Sequence, residues 1–92
     1  EDVGERPYRI DRLLTQLLRS GWFDEVAGVA CGGFTSCGEP DVVREVLGHR
    51  LGGLGVPLVL NLPFGHDEVN RTLPLGSIAL LHGDSGQLTL NR

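Results

Sequence analysis

The chain has 92 residues, of which 40% are hydrophobic and 22% are charged, a composition that indicates one small globular domain or part of one. Its formal net charge of −4 argues against nucleic-acid binding, because a protein that binds phosphates needs a basic surface. No apolar run approaches the roughly 20 residues that span a membrane, and no signal peptide is visible. We therefore expect no nucleic acid and no membrane as partners.

The first predicted element is an amphipathic helix over roughly residues 7–20. Pro7 suits the first turn of a helix, and Gly21 suits the position just after the last turn. Apolar side chains recur at spacings of three and four, which places them on one face. This predicted inward face consists of Ile10, Leu13, Leu14, Leu17 and Leu18.

A strand, a loop, a second helix and another strand are predicted next. The short apolar run 26–31 indicates a strand buried on both faces, and hence a parallel one. After a glycine-rich loop, Pro40 begins a helix that ends at Gly52-Gly53, and residues 56–60 form the next buried strand. This order favours a parallel pair with a right-handed crossover. The side chains expected to point inward from the helix are Val42, Val43, Val46, Leu47 and Leu51.

The last predicted element is a β-hairpin over residues 77–90. An apolar run ends at His82, residues 82–86 have the composition of a turn, and residues 87–90 alternate between polar and apolar.

The two cysteines, Cys31 and Cys37, have a spacing that matches no common zinc motif, and the chain has no second pair. We interpret them as reduced thiols of a cytoplasmic protein, with a local disulfide as the alternative.

His66 is the histidine with the strongest claim to chemistry. It follows Pro63 and Gly65 on the loop after the predicted strand 56–60, and such loops carry catalytic groups on a rigid support. A merely polar loop histidine is the alternative. His49, late in the second helix, and His82, beside the hairpin turn, are predicted to be structural or solvent-facing.

Other chemistries have less support in the sequence. His66, Asp67 and Glu68 are consecutive and do not converge well on one ion, so we expect no metal and no cofactor. The loop 32–36 lacks the lysine of a phosphate-binding loop. Ser36 and Ser85 lack the G-x-S-x-G elbow, so the chain shows no convincing serine nucleophile.

The charged segment at residues 1–12 allows two interpretations. Its acids suit the N-terminus of the helix that follows, because the helix dipole favours negative charge there. Alternatively, one of its carboxylates orients a histidine, and the spacing alone does not decide between these roles.

Three blocks, in this order along the chain, resemble a known peptidase family. The first is residues 1–17, which contain Glu1-Asp2-Val3-Gly4-Glu5 and Pro7-Tyr8-Arg9-Ile10-Asp11. A weaker middle block is Gly33-Phe34-Thr35 with Cys37, and the last is Pro63-Phe64-Gly65-His66 with Asn70 and Leu73-Pro74-Leu75-Gly76. Together they are similar to the LD-carboxypeptidases, which include the muramoyltetrapeptide carboxypeptidases and the microcin C immunity peptidases.

The resemblance implies a serine peptidase with a Ser-His-Glu triad. Glu1 matches the catalytic carboxylate, with Glu5 as the second alignment, and His66 matches the general base. The serine and the oxyanion hole would lie in an N-terminal domain that this chain lacks. The implied fold is α/β, a swivelling β/β/α-type domain that is incomplete at its N-terminal side, with a small parallel core and a C-terminal hairpin. Residues 1–92 would be its later part, beginning inside a longer protein.

The activity implied by the resemblance is hydrolysis of an L,D peptide bond, releasing the terminal D-Ala of a murein tetrapeptide during cell-wall recycling. The alternatives are a microcin C-type immunity peptidase and a non-catalytic binding module of the same fold. The expected partners are the peptide substrate and the N-terminal domain. The family commonly forms dimers, so a homodimer also fits the resemblance.

Overall fold

The computed structural model describes residues 1–90, in which two helices and six short strands form a small α/β fold. Helix α1 spans Pro7–Arg19 and helix α2 spans Pro40–Leu51, which a 3₁₀ turn extends over Gly52–Leu54. The strands are β1 (Asp2–Val3), β2 (Val29–Ala30), β3 (Phe34–Thr35), β4 (Leu58–Val59), β5 (Ala79–His82) and β6 (Gln87–Leu90). Neither helix of this part of the chain is long and apolar enough to cross a bilayer.

Helix α1 confirms the amphipathic helix predicted from the sequence. It has proline in its first turn, and the chain leaves it through Gly21 at a φ of +80°, a conformation that glycine adopts at little cost. Ile10 is buried, whereas Leu13 is 44% exposed, so the inward face is narrower than predicted. Three further leucines of this face are partly buried against the core, namely Leu14, Leu17 and Leu18.

The predicted parallel pair is confirmed in β2 and β4, where Val29 pairs with Leu58 and Ala30 with Val59. Both strands are shorter than predicted, and burial on both faces was wrong, because Ala30 is exposed. The pair forms a two-stranded sheet within residues 1–90, so both of its edges lack a neighbouring strand there.

A second parallel pair, β1 with β3, was not predicted. Asp2 pairs with Phe34 and Val3 with Thr35, in segments that had been interpreted as a charged lead into a helix and as a loop. Strands of two residues are too short to show an alternating pattern, so the sequence carried no signal for them.

The core lies between the two helices and the β2–β4 pair. The second helix packs against α1 through Val43, Leu47 and Leu51, which were predicted to point inward. Val42 was also predicted inward but is 42% exposed. Burial raises the pKa of the Cys31 thiol. The buried residues of this core are Ile10, Phe23, Cys31, Cys37, Val43, Leu47 and Leu51, and both cysteines are free.

The C-terminal hairpin is confirmed as an antiparallel pair of β5 and β6. In β6 the alternation is visible in burial, because Leu88 and Leu90 are half-buried whereas Gln87 and Thr89 are exposed. Most of β5 is exposed, and the side chain of Leu80 is 61% accessible.

An ion pair joins the two helices at their exposed edge. The Arg50 guanidinium donates from both Nε and Nη2 to the two carboxylate oxygens of Asp11, with an Nη2 to Oδ2 distance of 3.3 Å. The hydrogen bonds from Arg50 hold the pKa of Asp11 below its ordinary value of 3.8, and they raise the pKa of Arg50.

We expect Asp11→Asn to lower the thermal stability of the protein at neutral pH by a small amount. A carboxyl whose pKa is lowered in the folded state stabilises the fold above its ordinary pKa of 3.8, and this stabilisation disappears as the pH falls through the folded-state pKa. The difference in melting temperature between variant and wild type should therefore shrink below about pH 4. Circular dichroism melts over a pH series measure it. Asp41→Asn is the control, because Asp41 is 92% exposed and lies 4.0 Å from Arg44.

Candidate active site

The loop that follows β4 is fixed by backbone hydrogen bonds to the segment between β2 and β3. The amide of Leu62 donates to the carbonyl of Cys31 at 3.0 Å, and the amide of Gly33 donates to the carbonyl of Phe64 at 2.8 Å. The loop begins at Asn61, which has a φ of +61°, so the chain turns sharply as it leaves β4. The start of the loop is therefore a fixed support for the residues that follow.

Gly32 and Gly33 make this close approach possible. A Cβ on Gly32 would lie 2.3 Å from the backbone oxygen of Phe64, and a Cβ on Gly33 would lie 2.3 Å from Oδ2 of Asp67. Both distances are far below van der Waals contact. A larger residue at position 32 would displace the backbone of Phe64, and a larger residue at position 33 would displace the side chain of Asp67. The glycines that resembled part of a phosphate-binding loop have this packing role in the structure.

The same segment holds the start of the chain. The amide of Asp2 donates to the carbonyl of Gly33 at 3.2 Å, and the amide of Gly4 donates to the carbonyl of Thr35 at 2.9 Å. Because these bonds fix β1 against β3, they also fix Glu1, which directly precedes β1, beside the loop after β4.

The structure brings together the two candidate residues identified from the sequence. Nδ1 of His66 lies 2.6 Å from Oε2 of Glu1, although the residues are 65 positions apart. A carboxylate accepts hydrogen bonds and cannot donate them, so Nδ1 carries the proton in this contact. In the neutral imidazole, Nε2 is then the basic nitrogen. The side chains are 51% and 31% exposed for His66 and Glu1, so the pair is open to solvent on one side.

Glu5, the second alignment for the carboxylate, is engaged elsewhere. Its Oε2 lies 2.8 Å from Nε of Arg9, one turn along α1. Within residues 1–90, the side chain that hydrogen-bonds the His66 ring is that of Glu1. The geometry therefore favours Glu1 over Glu5 as the partner of the imidazole.

Gly65 allows the contact between Glu1 and His66. Its φ is +123°, which residues other than glycine rarely adopt, and a Cβ there would lie 3.2 Å from both Cβ and Oε2 of Glu1. Its amide donates to Oδ1 of Asn70 at 3.1 Å, so the unusual conformation is held by a side chain from the same loop.

Two polar contacts around the pair were not predicted. The hydroxyl of Thr35 donates to the Asp67 carboxylate, and Asn70 holds Gly65 as just described. Thr35 and Asn70 both lie in the sequence blocks that resemble the peptidase family. Such a block singles out a residue but does not show which atoms the residue contacts. The partner of Thr35 is 32 positions away, beyond the reach of any spacing argument.

The other candidate residues lie apart from this pair in the chain. His49 is exposed in the last turn of α2, and His82 is exposed at the end of β5, as expected. Ser36 lies in the turn after β3 and Ser85 in the hairpin turn, both exposed.

A shallow cavity of about 320 Å³ lies beside Glu1 and is lined by Gly65, the neighbour of His66. Among the side chains that line it, Arg71 is the cation and Glu1 the anion. The remaining lining residues are Phe64, Gly65, Asn70, Thr72 and Leu73. A carboxylate, an imidazole and an adjacent cavity are parts that a hydrolase uses.

Comparison with known proteins gives a family for this arrangement. Residues 1–81 match the family model of the LD-carboxypeptidase C-terminal domain. The chain is 55% identical over 92 residues to a putative carboxypeptidase of Streptomyces coelicolor, covering all of this chain and 30% of that protein. It is 54% identical to a putative carboxypeptidase of Synechocystis, covering 97% of this chain and 31% of the relative. No solved structure matches the chain.

A more distant relative has a more specific name. The murein tetrapeptide carboxypeptidase of Pseudomonas aeruginosa is 38% identical over 87 residues, which cover 91% of this chain and 28% of that protein. The chain thus spans less than a third of the length of each of these three curated relatives.

We expect Gly65→Ala to separate Glu1 from His66. The substitution places a methyl group 3.2 Å from Glu1 and forces alanine into a φ of +123°, at a cost of about 1–3 kcal/mol. Loss of the low-field Nδ1–H proton signal of His66 in NMR spectra would report the separation. Gly76→Ala is the matched control, because Gly76 has a φ of +81° but a Cβ there would meet nothing within 4 Å. An unchanged signal in Gly65→Ala would contradict this role of Gly65.

Proposed function

This chain belongs to the LD-carboxypeptidase family, and on that premise we propose that it supplies the histidine and the glutamate of a Ser-His-Glu triad. The observation that carries the proposal is the 2.6 Å contact between Nδ1 of His66 and Oε2 of Glu1. In this assignment His66 is the general base and Glu1 is the carboxylate that orients it. The nucleophilic serine comes from residues outside this chain.

The tautomer of His66 supports this assignment. With its proton on Nδ1 and bonded to Glu1, the imidazole presents an unprotonated Nε2, the atom that accepts a proton from an attacking hydroxyl. The 51% exposure of His66 leaves room for a second surface to reach that atom. The carboxylate also stabilises the imidazolium that forms when Nε2 takes up the proton.

The reaction would proceed in two halves. As the serine oxygen attacks the carbonyl carbon of the scissile amide, Nε2 of His66 takes the hydroxyl proton and then gives it to the leaving amine. Water next enters, transfers a proton to Nε2 and attacks the acyl carbon. As the bond to the serine oxygen breaks, Nε2 returns this proton to that oxygen, which releases the shortened peptide and restores the serine. Glu1 keeps its hydrogen bond to Nδ1 throughout, so the ring does not turn between the two proton transfers.

We propose a murein tetrapeptide as the substrate, with its terminal D-Ala as the released residue, in cell-wall recycling in the cytoplasm. The support is the name of the relative from Pseudomonas aeruginosa, together with that of a probable murein peptide carboxypeptidase of Bacillus subtilis, which is 32% identical over 89 residues. These names favour a murein peptide over the peptidyl-nucleotide substrate of an immunity peptidase. The retained Glu1–His66 contact favours an enzyme over a binding module.

The proposal extends to the domain as a whole. Residues 1–92 would form the later part of a swivelling β/β/α-type C-terminal domain, and an N-terminal domain would carry the serine and the oxyanion hole. The parallel strand pairs and the C-terminal hairpin are compatible with this fold. The 30% share of the Streptomyces relative that the chain covers is also compatible with it.

In the full-length protein, His66→Ala and Glu1→Gln should each lower kcat for D-Ala release from murein tetrapeptide. Loss of the base removes proton transfer, and loss of the carboxylate leaves the ring without its orienting acceptor, so we expect decreases of roughly 10³-fold or more for His66→Ala. Glu1→Gln should cost less than His66→Ala, because the base itself remains although the amide no longer fixes its tautomer. Chromatographic measurement of released D-Ala follows the reaction.

Glu5→Gln and His49→Ala are the matched controls for these variants. Glu5 pairs with Arg9, and His49 is exposed on α2, so both should retain activity within about threefold of wild type. Nearly full activity in His66→Ala would exclude the proposed triad. Loss of activity in Glu5→Gln together with normal activity in Glu1→Gln would transfer the carboxylate role to Glu5.

A further prediction concerns residues 1–92 as an isolated polypeptide, which should release no D-Ala. The proposed base and carboxylate cannot cleave an amide without the serine and the oxyanion hole. The measurement is the same D-Ala assay at high enzyme concentration, with the full-length protein as the positive control. Turnover by the isolated polypeptide would reveal a nucleophile within residues 1–92.

A further inference from the structure

A side-chain hydrogen bond links β3, the partner of the strand after Glu1, to the residue that follows His66. The hydroxyl of Thr35 in β3 donates to Oδ1 of Asp67, the residue directly after His66. The contact is exposed, and an exposed hydrogen bond contributes little to the stability of a fold because water competes for both partners. Because this hydrogen bond lies beside the Glu1–His66 pair, it can affect the geometry of the pair.

On the side of Glu1, Thr35 belongs to the same rigid unit as the carboxylate. Val3 pairs with Thr35 in the β1–β3 register, and the amide of Gly4 donates to the carbonyl of Thr35 at 2.9 Å. Glu1 directly precedes β1. Any movement of Thr35 relative to β1, the strand directly after Glu1, therefore requires breaking backbone hydrogen bonds of the strand pair.

On the side of His66, Asp67 is the adjacent residue in the chain. When Thr35 holds the Asp67 carboxylate, it fixes the backbone on the C-terminal side of the imidazole. On the N-terminal side, Asn70 fixes the amide of Gly65 at 3.1 Å. His66 is thus restrained from both sides, and the restraint through Asp67 leads to β3, which pairs with the strand directly after Glu1.

The space for this contact is made by a glycine. A Cβ on Gly33 would lie 2.3 Å from Oδ2 and 2.8 Å from Cγ of Asp67. A side chain at position 33 would therefore push Asp67 away from its present place. The local sequence permits a close approach of this carboxylate that most residues at position 33 would prevent.

We propose that Thr35 and Asp67 are positioning residues, whose hydrogen bond holds His66 at the correct distance from Glu1 during catalysis. This inference rests on the proposed function of the pair. The requirement is for a donor at position 35 and an acceptor at position 67. The negative charge of Asp67 is not itself required, and neither residue touches the substrate.

The test uses the full-length protein and the D-Ala release assay. Thr35→Val removes the hydroxyl while keeping the shape and the strand preference of the side chain, so β3 should still pair with β1. Asp67→Leu removes the acceptor. Each should lower kcat by roughly 10- to 100-fold with little change in KM, because the misplaced base affects chemistry more than substrate binding. The low-field Nδ1–H signal of His66 should weaken or broaden in both variants.

Conservative variants separate positioning from other roles. Thr35→Ser keeps the donor and Asp67→Asn keeps an oxygen acceptor, so both should retain kcat within about threefold of wild type. If Asp67→Asn is as impaired as Asp67→Leu, the charge of Asp67 is what matters and the proposal is wrong. The double variant Thr35→Val/Asp67→Leu should be no worse than either single variant, since both remove one contact. Additive losses would also overturn the proposal.

A control hydroxyl is available on α1. The hydroxyl of Thr15 donates to the carbonyl of Asp11 at 2.8 Å within the helix, so Thr15→Val tests the general effect of exchanging threonine for valine. It should leave kcat unchanged. The outcome for His66→Ala separates the two proposals. If His66→Ala is inactive and Thr35→Val is fully active, only the positioning role is contradicted. If His66→Ala is active, the proposed function itself is contradicted.

Discussion

The close backbone approach between residues 31–33 and residues 62–64 is the constraint on which the site depends. It requires that position 32 has no side chain, because a Cβ there would lie 2.3 Å from the backbone oxygen of Phe64. A Cβ on Gly33 would lie 2.3 Å from Oδ2 of Asp67, farther along the same loop. The backbone of Gly33 is shared by both halves of the site. Its carbonyl accepts from Asp2, which fixes β1, and its amide donates to Phe64, which fixes the loop that leads to His66. One dipeptide thus connects the start of the chain with a histidine 65 positions later.

The stability of the fold and the geometry of the site come from different interactions. The core is formed by buried side chains of α1 and α2 together with Phe23, Cys31 and Cys37, and no polar or charged side chain is buried in the described part of the chain. The Glu1–His66 pair lies outside that core, with side chains 31% and 51% exposed. Exposed ion pairs contribute little to the free energy of folding. Stabilisation of the fold therefore does not explain well why Glu1 and His66, which are 65 positions apart, make a 2.6 Å contact. Its orientation of the imidazole is the more economical explanation.

The sequence predicted the parts of the fold that have a periodic signal. Both helices, the C-terminal hairpin and the parallel β2–β4 pair follow from apolar spacing, proline and glycine. The β1–β3 pair could not be predicted, because two residues per strand give no period and its register is set by contacts between segments 32 positions apart. For the site, the family resemblance identified Glu1 and His66, and the structure added their contact. The contact between Thr35 and Asp67 could not be predicted from the sequence, because it depends on the absence of a side chain at Gly33.

The exposure of the pair has a consequence for how it works. In water the attraction between Glu1 and the imidazolium of His66 is screened, and it strengthens as the local dielectric constant falls. If a serine-bearing surface and a bound peptide cover the exposed side of His66, the same 2.6 Å hydrogen bond stabilises the protonated ring more strongly just when Nε2 receives the proton. Under the proposed function, a pair that is correctly placed but open to solvent would become effective on substrate binding. Placement must come first, and in this chain it is supplied by short strands, three glycines and a few hydrogen bonds around His66.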